Sequence, residues 1–344
     1  MVNNPNILAI ESSCDDTSAA VMCGSVVMSN VIASQAVHSL YGGVVPELAS
    51  RAHQQNIVPV VDLAIKKAGL TVSDIHAVAF TKGPGLLGSL LVGAAFAKSF
   101  AQAQGIPIIA VNHLHGHLLS NFIVEKDEAP VFPQFPYLCL LVSGGHTQLV
   151  IVRDYLQFEI IGKTIDDAAG EAFDKCAKAI GLDYPGGPMV DKLAATGNEL
   201  AFTFGLPRIR DYDYSFSGLK TSFLYTLRDH LKDNKNFVEE NMNDLCASLQ
   251  KAIIDVLVAK LKKAIRDTGI KTVCISGGVA ANMGLRLRLT LLSEKNHWNV
   301  FLPKKQYTTD NAAMIAVVAN YCYSKGFFDE LSVSPLARLD VQDF

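Results

Sequence analysis

Residues 111–118, Val111-Asn112-His113-Leu114-His115-Gly116-His117-Leu118, carry three of the nine histidines in a chain of 344 residues. The apolar run Ile106 to Val111 leads into them and reads as a buried strand. Asn112 is a favoured helix N-cap residue, so the spacing predicts a helix beginning at His113. In that helix His113 and His117 stand one turn apart on one face, and His115 points another way. Two imidazoles at i, i+4 on a strand-to-helix corner suit a divalent metal. Solvated or helix-capping histidines would show the same spacing. The rest of the chain has to decide between these readings.

Upstream of the corner, Asn6 to Ile10, Ala19 to Met22 and Ser25 to Ser34 read as a strand meander. Its first loop is Glu11-Ser12-Ser13-Cys14-Asp15-Asp16-Thr17-Ser18, and Gly24 marks the second turn. Glu47 to Ala68 has helical period, with Leu48, Val58, Val61 and Ala64 as core candidates. Ala77 to Phe80 is a strand that runs into Thr81-Lys82-Gly83-Pro84-Gly85 and then a helix to about Ala103. After Pro130, Pro133 and Pro136 the pattern restarts. Tyr137 to Val142, Gln148 to Arg153 and Phe158 to Thr164 form a second meander, whose first loop is Ser143-Gly144-Gly145-His146-Thr147. Asp166 to Ile180 is helical, Pro185-Gly186-Gly187-Pro188 is a tight loop, and a helix follows from about Met189. Residues 200 to 240 read as irregular, and Val238 to Thr268 as long helices. The strand Thr272 to Ser276 enters Gly277-Gly278-Val279-Ala280-Ala281-Asn282. A helix, a strand at Asn299 to Leu302 and a helix from Asp310 to Ser324 complete the pattern.

This is an internal repeat with a period of roughly 130 to 190 residues. Each half is a strand meander opening on a polar loop, then strand, Gly-rich loop, helix, strand, polar turn and helix. The expectation is an α/β protein of two duplicated lobes, each a mixed sheet flanked by helices, with a cleft between them. The first lobe spans 1–132. The second spans 133–330, with a helical insertion over about 165–268, and a tail occupies 331–344. In this alignment of halves, the histidine corner corresponds to Tyr307-Thr308-Thr309-Asp310. Asp310 then supplies a third, oxygen ligand from the matching corner of the other half, and the metal reading gains weight.

Composition narrows the class. The chain is 49% hydrophobic and 18% charged, with a net charge of −3, so bulk charge does not announce a nucleic-acid binder. Its polar N-terminus is not a signal peptide, and no apolar run reaches membrane-spanning length. Seven dispersed cysteines without a Cys-x-x-Cys pair suggest reduced thiols in a cytoplasmic protein.

The loops carry the chemistry. Ser143-Gly144-Gly145-His146-Thr147 ends a strand with backbone N–H groups turned outward, a geometry that cradles anions. An ordinary hairpin has the same sequence features. Asp15 and Asp16 cannot cradle an anion by charge; a general base, a metal-water contact or amine orientation suits them. Gly277 to Asn282 follows a strand and opens a helix, as a nucleotide loop does, with Asn282 able to hydrogen-bond a purine or ribose. Asp174 and Asp191 suit ribose hydroxyls, with Gly187 passing beneath the sugar; surface carboxylates are the alternative. Arg208, Arg210, Lys220, Arg286, Arg288, Lys304 and Lys305 are basic, and Phe204, Tyr212, Tyr214 and Phe216 interleave with the first of them. Such mixing suits a single-stranded RNA loop with splayed bases.

Six segments together are more specific than any one motif. They are Glu11-Ser12-Ser13-Cys14-Asp15-Asp16-Thr17, Gly43 to Arg51, Gly83-Pro84-Gly85-Leu86, Asn112 to His117, Val142 to His146 and Thr309-Asp310-Asn311-Ala312-Ala313. In order, and over essentially the whole chain, they resemble the TsaD family of tRNA adenosine threonylcarbamoyltransferases. That family lies within the actin/sugar-kinase/heat-shock-70 ATPase (ASKHA) superfamily. The resemblance implies two actin-like lobes and transfer of threonylcarbamoyl from threonylcarbamoyl-adenylate to the exocyclic amine of the tRNA adenosine 3′ to the anticodon, releasing AMP. It implies one divalent metal, iron or zinc, on His113, His117 and Asp310. It implies that Val142, Ser143, Gly144, Gly145, His146, Asp174, Gly187, Asp191 and Asn282 hold the adenylate, and that Asp15 is catalytic. No role passes to His115. By resemblance to bacterial members, the partners are tRNA, a TsaB-like paralogue and a TsaE-like ATPase.

Two other functions belong to the same superfamily: an ATP-dependent small-molecule kinase and a nucleotide-gated chaperone. The His/His/Asp set argues against the kinase, because Mg²⁺ in phosphoryl transfer prefers carboxylates and water. A metalloprotease is poorly served, since Leu114 stands where the general-base Glu of His-Glu-x-x-His would be.

Overall fold

β1 (Asn6–Glu11), β2 (Thr17–Cys23) and β3 (Val26–Ala33) form the expected antiparallel meander. β4 (Ala77–Gly83) adds in parallel to β1, and β5 (Ile108–Asn112) in parallel to β4. The two-residue β6 (Val124–Glu125) extends the far edge, giving the order β5-β4-β1-β2-β3-β6. The computed structural model describes residues 4–35, 38, 41–206 and 209–343. Ile7, Leu8, Ala9 and Ile10 are all buried, so β1 has no solvent face, as a central strand in a helix-covered sheet requires. Its core partners include Val21, Val60, Val61, Ala64, Phe80 and Ala97, from the sheet, from α1 (Pro46–Lys67) and from α2 (Leu87–Gln104). The parallel register sets Ile10 beside Phe80 and Thr81 beside Val111. β1, β4 and β5 therefore finish at one edge, which delivers Glu11, Thr81 and the start of α3 (His113–Leu118) to one place.

The second sheet consists of β7 (Tyr137–Val142), β8 (Thr147–Asp154), β9 (Gln157–Lys163), β10 (Thr272–Ser276) and β11 (Asn299–Phe301). Its order, β11-β10-β7-β8-β9, repeats β5-β4-β1-β2-β3 strand for strand. β7 and β8 are antiparallel, whereas β10 runs parallel to both β7 and β11. The duplication read from the sequence is thus present in the topology. Helices α4 (Ala169–Ala179), α5 (Gly186–Ala194), α6 (Ser217–Asp233), α7 (Phe237–Glu240), α8 (Met242–Thr268) and α9 (Met283–Asn296) share a core with this sheet, in which Leu140, Phe173, Phe223, Leu249 and Leu289 are buried.

The chain divides into two compact units. One holds Met1–Phe132, Arg153–Phe158 and Thr309–Phe344; the other holds Pro133–Val152 and Glu159–Thr308. This differs from the division expected from the sequence, which assigned residues 309–330 to the second lobe. The reason is α10 (Ala312–Lys325), which packs on β1, β2, β5 and α3. Ala312 to Ala319 are all buried, and the Ala312 amide donates to Ser18 Oγ at 2.9 Å. A helix apolar on every side has to be covered on every side.

Local differences have local causes. Val58 is 60% exposed and not a core residue, because the buried stripe of α1 runs through Ile57, Val60, Val61, Ala64 and Ile65. Gly186, Gly187 and Pro188 form the first turn of α5 and not a loop; backbone N–H groups there have no intrahelical partner, so Pro188 costs nothing. α4 starts at Ala169 because the Asp166 carboxylate is taken by the Phe216 amide and the hydroxyls of Ser215 and Ser217. Residues 200 to 240 are not irregular throughout: Leu219, Phe223 and Leu227, four apart, seat α6 in the core. No helix among the described residues is long and apolar enough to cross a membrane.

Candidate functional site

Asn112 ends β5, and its side chain caps α3 by accepting from the Leu114 amide at 2.9 Å. The cap starts the helix at His113, as the sequence predicts, and His113 and His117 meet edge to face with ring centroids 4.7 Å apart. Asn311 caps α10 in the same way, accepting from the Met314 amide at 3.1 Å, and this leaves Asp310 just ahead of the helix. Asp310 Oδ1 lies 3.1 Å from His117 Nε2 and 3.5 Å from His113 Nε2. One ligand atom from each of the three lies within 4.8 Å of the others. All three residues belong to the first unit. Asp310 therefore reaches the histidines through the packing of α10, and not from a corner of the opposite lobe.

The electrostatics of this corner come from burial and crowding. Burial alone would lower the His113 pKa, but Glu11 and Asp310 overcome it and raise it to about 9. Glu11, also fully buried, is pushed up by desolvation yet ends below its ordinary value because His113 sits on it. His117 goes down, through burial and the neighbouring His113 charge, against the pull of Asp310. Its Nδ1 is buried with no hydrogen-bond partner among the described residues, so the ring's one proton belongs on Nε2, facing Asp310. The donor set, two imidazoles and a carboxylate in a largely buried pocket, fits a divalent metal of the zinc or iron type.

His115 is on another face, as the sequence predicts. Its Nε2–H donates to the Val341 carbonyl at 2.7 Å, and burial lowers its pKa to about 4. The tail expected over 331–344 is thus a strap: the Asn112 side-chain amide also donates to the Asp340 carbonyl at 2.8 Å.

Asp15 is half-buried in the loop between β1 and β2. Asp16 beside it is raised to about 6, first by burial, against a hydrogen bond from Ser34, and further by Asp15, Asp310 and Glu11. Buried His53 braces the loop, with Nδ1 2.7 Å from Thr17 Oγ1 and Nε2 3.0 Å from the Cys14 carbonyl. No spacing in the sequence singles out His53.

The sequence-predicted adenylate residues lie in the second unit, and most hold backbone. Ser143 to His146 close a tight turn through Ser143 N–H to the His146 carbonyl at 2.8 Å, and the His146 N–H reaches Ser143 Oγ at 3.1 Å. Gly144 and Gly145 are exposed, and a Cβ on either would meet nothing within 4 Å. Behind the turn there is no room: a Cβ on Gly170 would stand 2.6 Å from the Ser143 carbonyl, and one on Gly277 2.4 Å from the Val142 carbonyl. Gly170 was not singled out from the sequence. Asp174 Oδ1 accepts the amides of Gly186 and Gly187 at 2.8 and 3.2 Å. The Asp191 carboxylate takes the Met283 amide at 3.0 Å, and Asn282 caps α9 through the Leu285 amide at 2.9 Å while donating to Gln250 Oε1.

The aromatic–basic surface expected over 204–220 is not built. Phe204, Tyr214 and Phe216 are core residues, and the Tyr212 hydroxyl donates to Asp267 at 2.8 Å. Aromatics this large fill the space between α6, α8 and the sheet. Of the basic residues, Lys220 pairs with Asp167, Arg288 with Asp255, and Arg286 donates to the carbonyls of Ala280 and Pro303. Arg210, Lys304 and Lys305 are exposed, and Arg208 lies outside the described residues.

Comparison with known proteins fits this geometry. The family model for TsaD, tRNA N6-adenosine threonylcarbamoyltransferase, matches residues 26–317. A protein of that name from Porphyromonas gingivalis is 59% identical, over 97% of this chain and 98% of its own length. One from Thermosipho africanus is 43% identical, over 97% and 99%. Among solved structures, full-length HypF in a phosphate- and nucleotide-bound form superposes with a TM-score of 0.62 at 15% identity, covering 94% of this chain. The chain spans about half of HypF, 47% of its length. HypF from T. kodakarensis gives a TM-score of 0.57 at 14% identity, over 96% of this chain and 49% of its own. These likenesses show the fold alone.

Proposed function

The chain belongs to the TsaD family of tRNA N6-adenosine threonylcarbamoyltransferases, and we propose from that premise how its residues divide the reaction. It is an acyltransferase that forms threonylcarbamoyladenosine on tRNA, and the kinase and chaperone alternatives are set aside. In our reading the donor is threonylcarbamoyl-adenylate, a mixed anhydride that is already activated, so no protein nucleophile is required. A C–N bond forms between the adenosine amine and the carbamoyl carbon. The C–O bond to the phosphate breaks, and the amine loses one proton.

The observation that carries the reading is the His113, His117 and Asp310 group in a chain 59% identical to a named member. These three residues would hold the metal, iron or zinc, which when bound polarises the donor's carbonyl as a Lewis acid. Asp15, half-buried in the adjacent loop, would accept the amine proton. Val142 to His146 would receive the phosphate on outward-facing backbone N–H groups. Asp174, Gly187, Asp191 and Asn282 would hold the adenosine, in part by shaping the turns around it. The reading includes a cytoplasmic location, a TsaB-like paralogue, and a TsaE-like ATPase.

The test is reconstitution with unmodified tRNA and threonylcarbamoyl-adenylate, with and without those partners, and detection of the modified nucleoside by mass spectrometry. Product that depends on this chain supports the reading. Product from ATP and threonine alone, with no adenylate formed, would sink the proposed donor.

A further inference from the structure

We propose that Glu11 is a positioning residue for the metal centre: its buried carboxylate holds the Nδ1–H of His113, which leaves Nε2 of that ring as the atom offered to the ion. The inference rests on reading His113, His117 and Asp310 as ligands.

Glu11 is the last residue of β1 and is wholly buried. An ionised carboxylate in such a place is costly unless its oxygens are filled by donors. Three donors fill them. The Ser13 amide lies 2.5 Å from Oε1, the Thr81 hydroxyl 2.5 Å from Oε2, and His113 Nδ1 3.0 Å from Oε2. An ionised carboxylate only accepts, so the nitrogen facing it carries the hydrogen. Ser13 Oγ, 3.2 Å from the same nitrogen, is a second contact on that side of the ring. The opposite side of the ring, Nε2, faces Asp310.

The carboxylate is itself fixed from behind. The Leu86 amide donates to the Ser13 carbonyl at 2.7 Å, and a Cβ on Gly85 would stand 2.4 Å from that oxygen. Ser12 Oγ donates to the Ser89 carbonyl at 3.0 Å, and a Cβ on Gly93 would lie 2.3 Å from it. The Gly83-Pro84-Gly85 loop and the start of α2, which take no part in the chemistry above, thus clamp residues 12 and 13. His117 has no equivalent support, because its Nδ1 finds no partner among the described residues. The two histidines are therefore unequal: His113 is held at Nδ1, on the side away from Asp310, whereas the hydrogen bond of His117 is on the Nε2 side, to Asp310 itself. Carboxylates behind ligating imidazoles typically account for about 10- to 100-fold in metal affinity.

The experiment measures Zn²⁺ and Fe²⁺ affinity of the full chain by chelator competition, with the Tm of each metal-free variant as a folding control. Glu11→Gln should bind zinc about 10- to 100-fold more weakly, and Thr81→Val, which touches Glu11 but not His113, should move affinity the same way by less. In the zinc-loaded protein the ¹H–¹⁵N signal of His113 Nδ1–H should be downfield and protected, and should move upfield or broaden away in Glu11→Gln. A folded Glu11→Gln with wild-type affinity and an unmoved His113 signal overturns this inference alone. If Glu11→Gln fails to fold, Thr81→Val decides, and wild-type affinity with an unmoved signal overturns it. A wild-type chain that binds neither ion overturns the metal reading as well.

Discussion

The edge of the first sheet and the equivalent edge of the second are built on the same strand order, yet they handle polar groups in opposite ways. In the first, side chains meet side chains: Glu11, His113, His117 and Asp310 converge within a few ångströms and set one another's protonation. In the second, side chains meet backbone: Asp174, Asp191 and Asn282 each accept amides at the start of a helix, and the turn Ser143 to His146 leaves its glycines bare. One edge gathers ionisable side chains and the other leaves open space over its turn glycines, so under the proposed function the first suits a cation and the second an anionic ligand. A duplicated topology thus sets where sites lie, and the residues at the strand ends set which chemistry each performs.

Several substitutions would sharpen or break that contrast. The largest effect belongs to the first edge. Asp310→Ala or His117→Ala should empty the chain of metal and reduce transfer on the order of 10³-fold or more, the scale of several kcal/mol of lost charge stabilisation. Elemental analysis beside nucleoside mass spectrometry checks both; full metal content in either variant breaks the contrast. Asp15→Asn should lower transfer by about 10²–10³-fold, as expected for a lost proton acceptor, with adenylate affinity retained. Equilibrium binding of a non-hydrolysable adenylate analogue separates the two effects.

At the second edge, Gly277→Ala should weaken adenylate binding and cost about 1–3 kcal/mol of stability, with metal content unaltered. Gly277 has φ +85°, and its added methyl would strike the Val142 carbonyl. Thermal denaturation and metal analysis on one sample test this, and metal lost together with stability would mean the edges are not separable. Asp191→Ala should be milder, about 0.5–2 kcal/mol, the usual cost of a lost helix cap.

The smallest effect concerns pH. Asp16 has a folded pKa of about 6, against an ordinary 3.8, because its neighbourhood is buried and acidic. The folded chain keeps that proton where the unfolded chain has released it. The contribution of Asp16 to stability is therefore present in full below about pH 4 and is lost as pH rises through 6. Asp16→Asn should raise the Tm of the metal-free chain at pH 7.5 by a degree or two, roughly the scale of 1 kcal/mol in a chain this size, and change it little at pH 4. A Tm gain of equal size at both pH values would contradict the assignment.

What could be read from the sequence divides along the same physical line. Strands β1 to β5 and β7 to β11, the Asn112 cap and the i, i+4 histidines follow from local pattern, because hydrophobic period and capping act over a few residues. The two-fold repetition was legible because it recurs in that pattern. Asp310 was grouped with His113 and His117, as the structure places it, but for the wrong geometric reason. Pattern alone placed it in the opposite lobe, whereas α10 carries it back onto the first sheet. The aromatic residues at 204–216 misled for a related reason: a basic–aromatic alternation does not say which rings are covered, and three of the four are core.

By itself, then, the sequence determined the class of fold, the duplicated order of its strands and the family to which the chain belongs. These are properties of local period and of ordered motifs. Only the tertiary structure decided that Asp310 shares a compact unit with His113 and His117, that Glu11 and Thr81 stand behind His113, and that Val341 occupies His115. Each of these contacts joins residues from about 70 to more than 200 positions apart, through strand register or through the burial of an all-apolar helix. No short-range signal encodes such pairings, because they are fixed by which surfaces must be hidden from water once every element has formed.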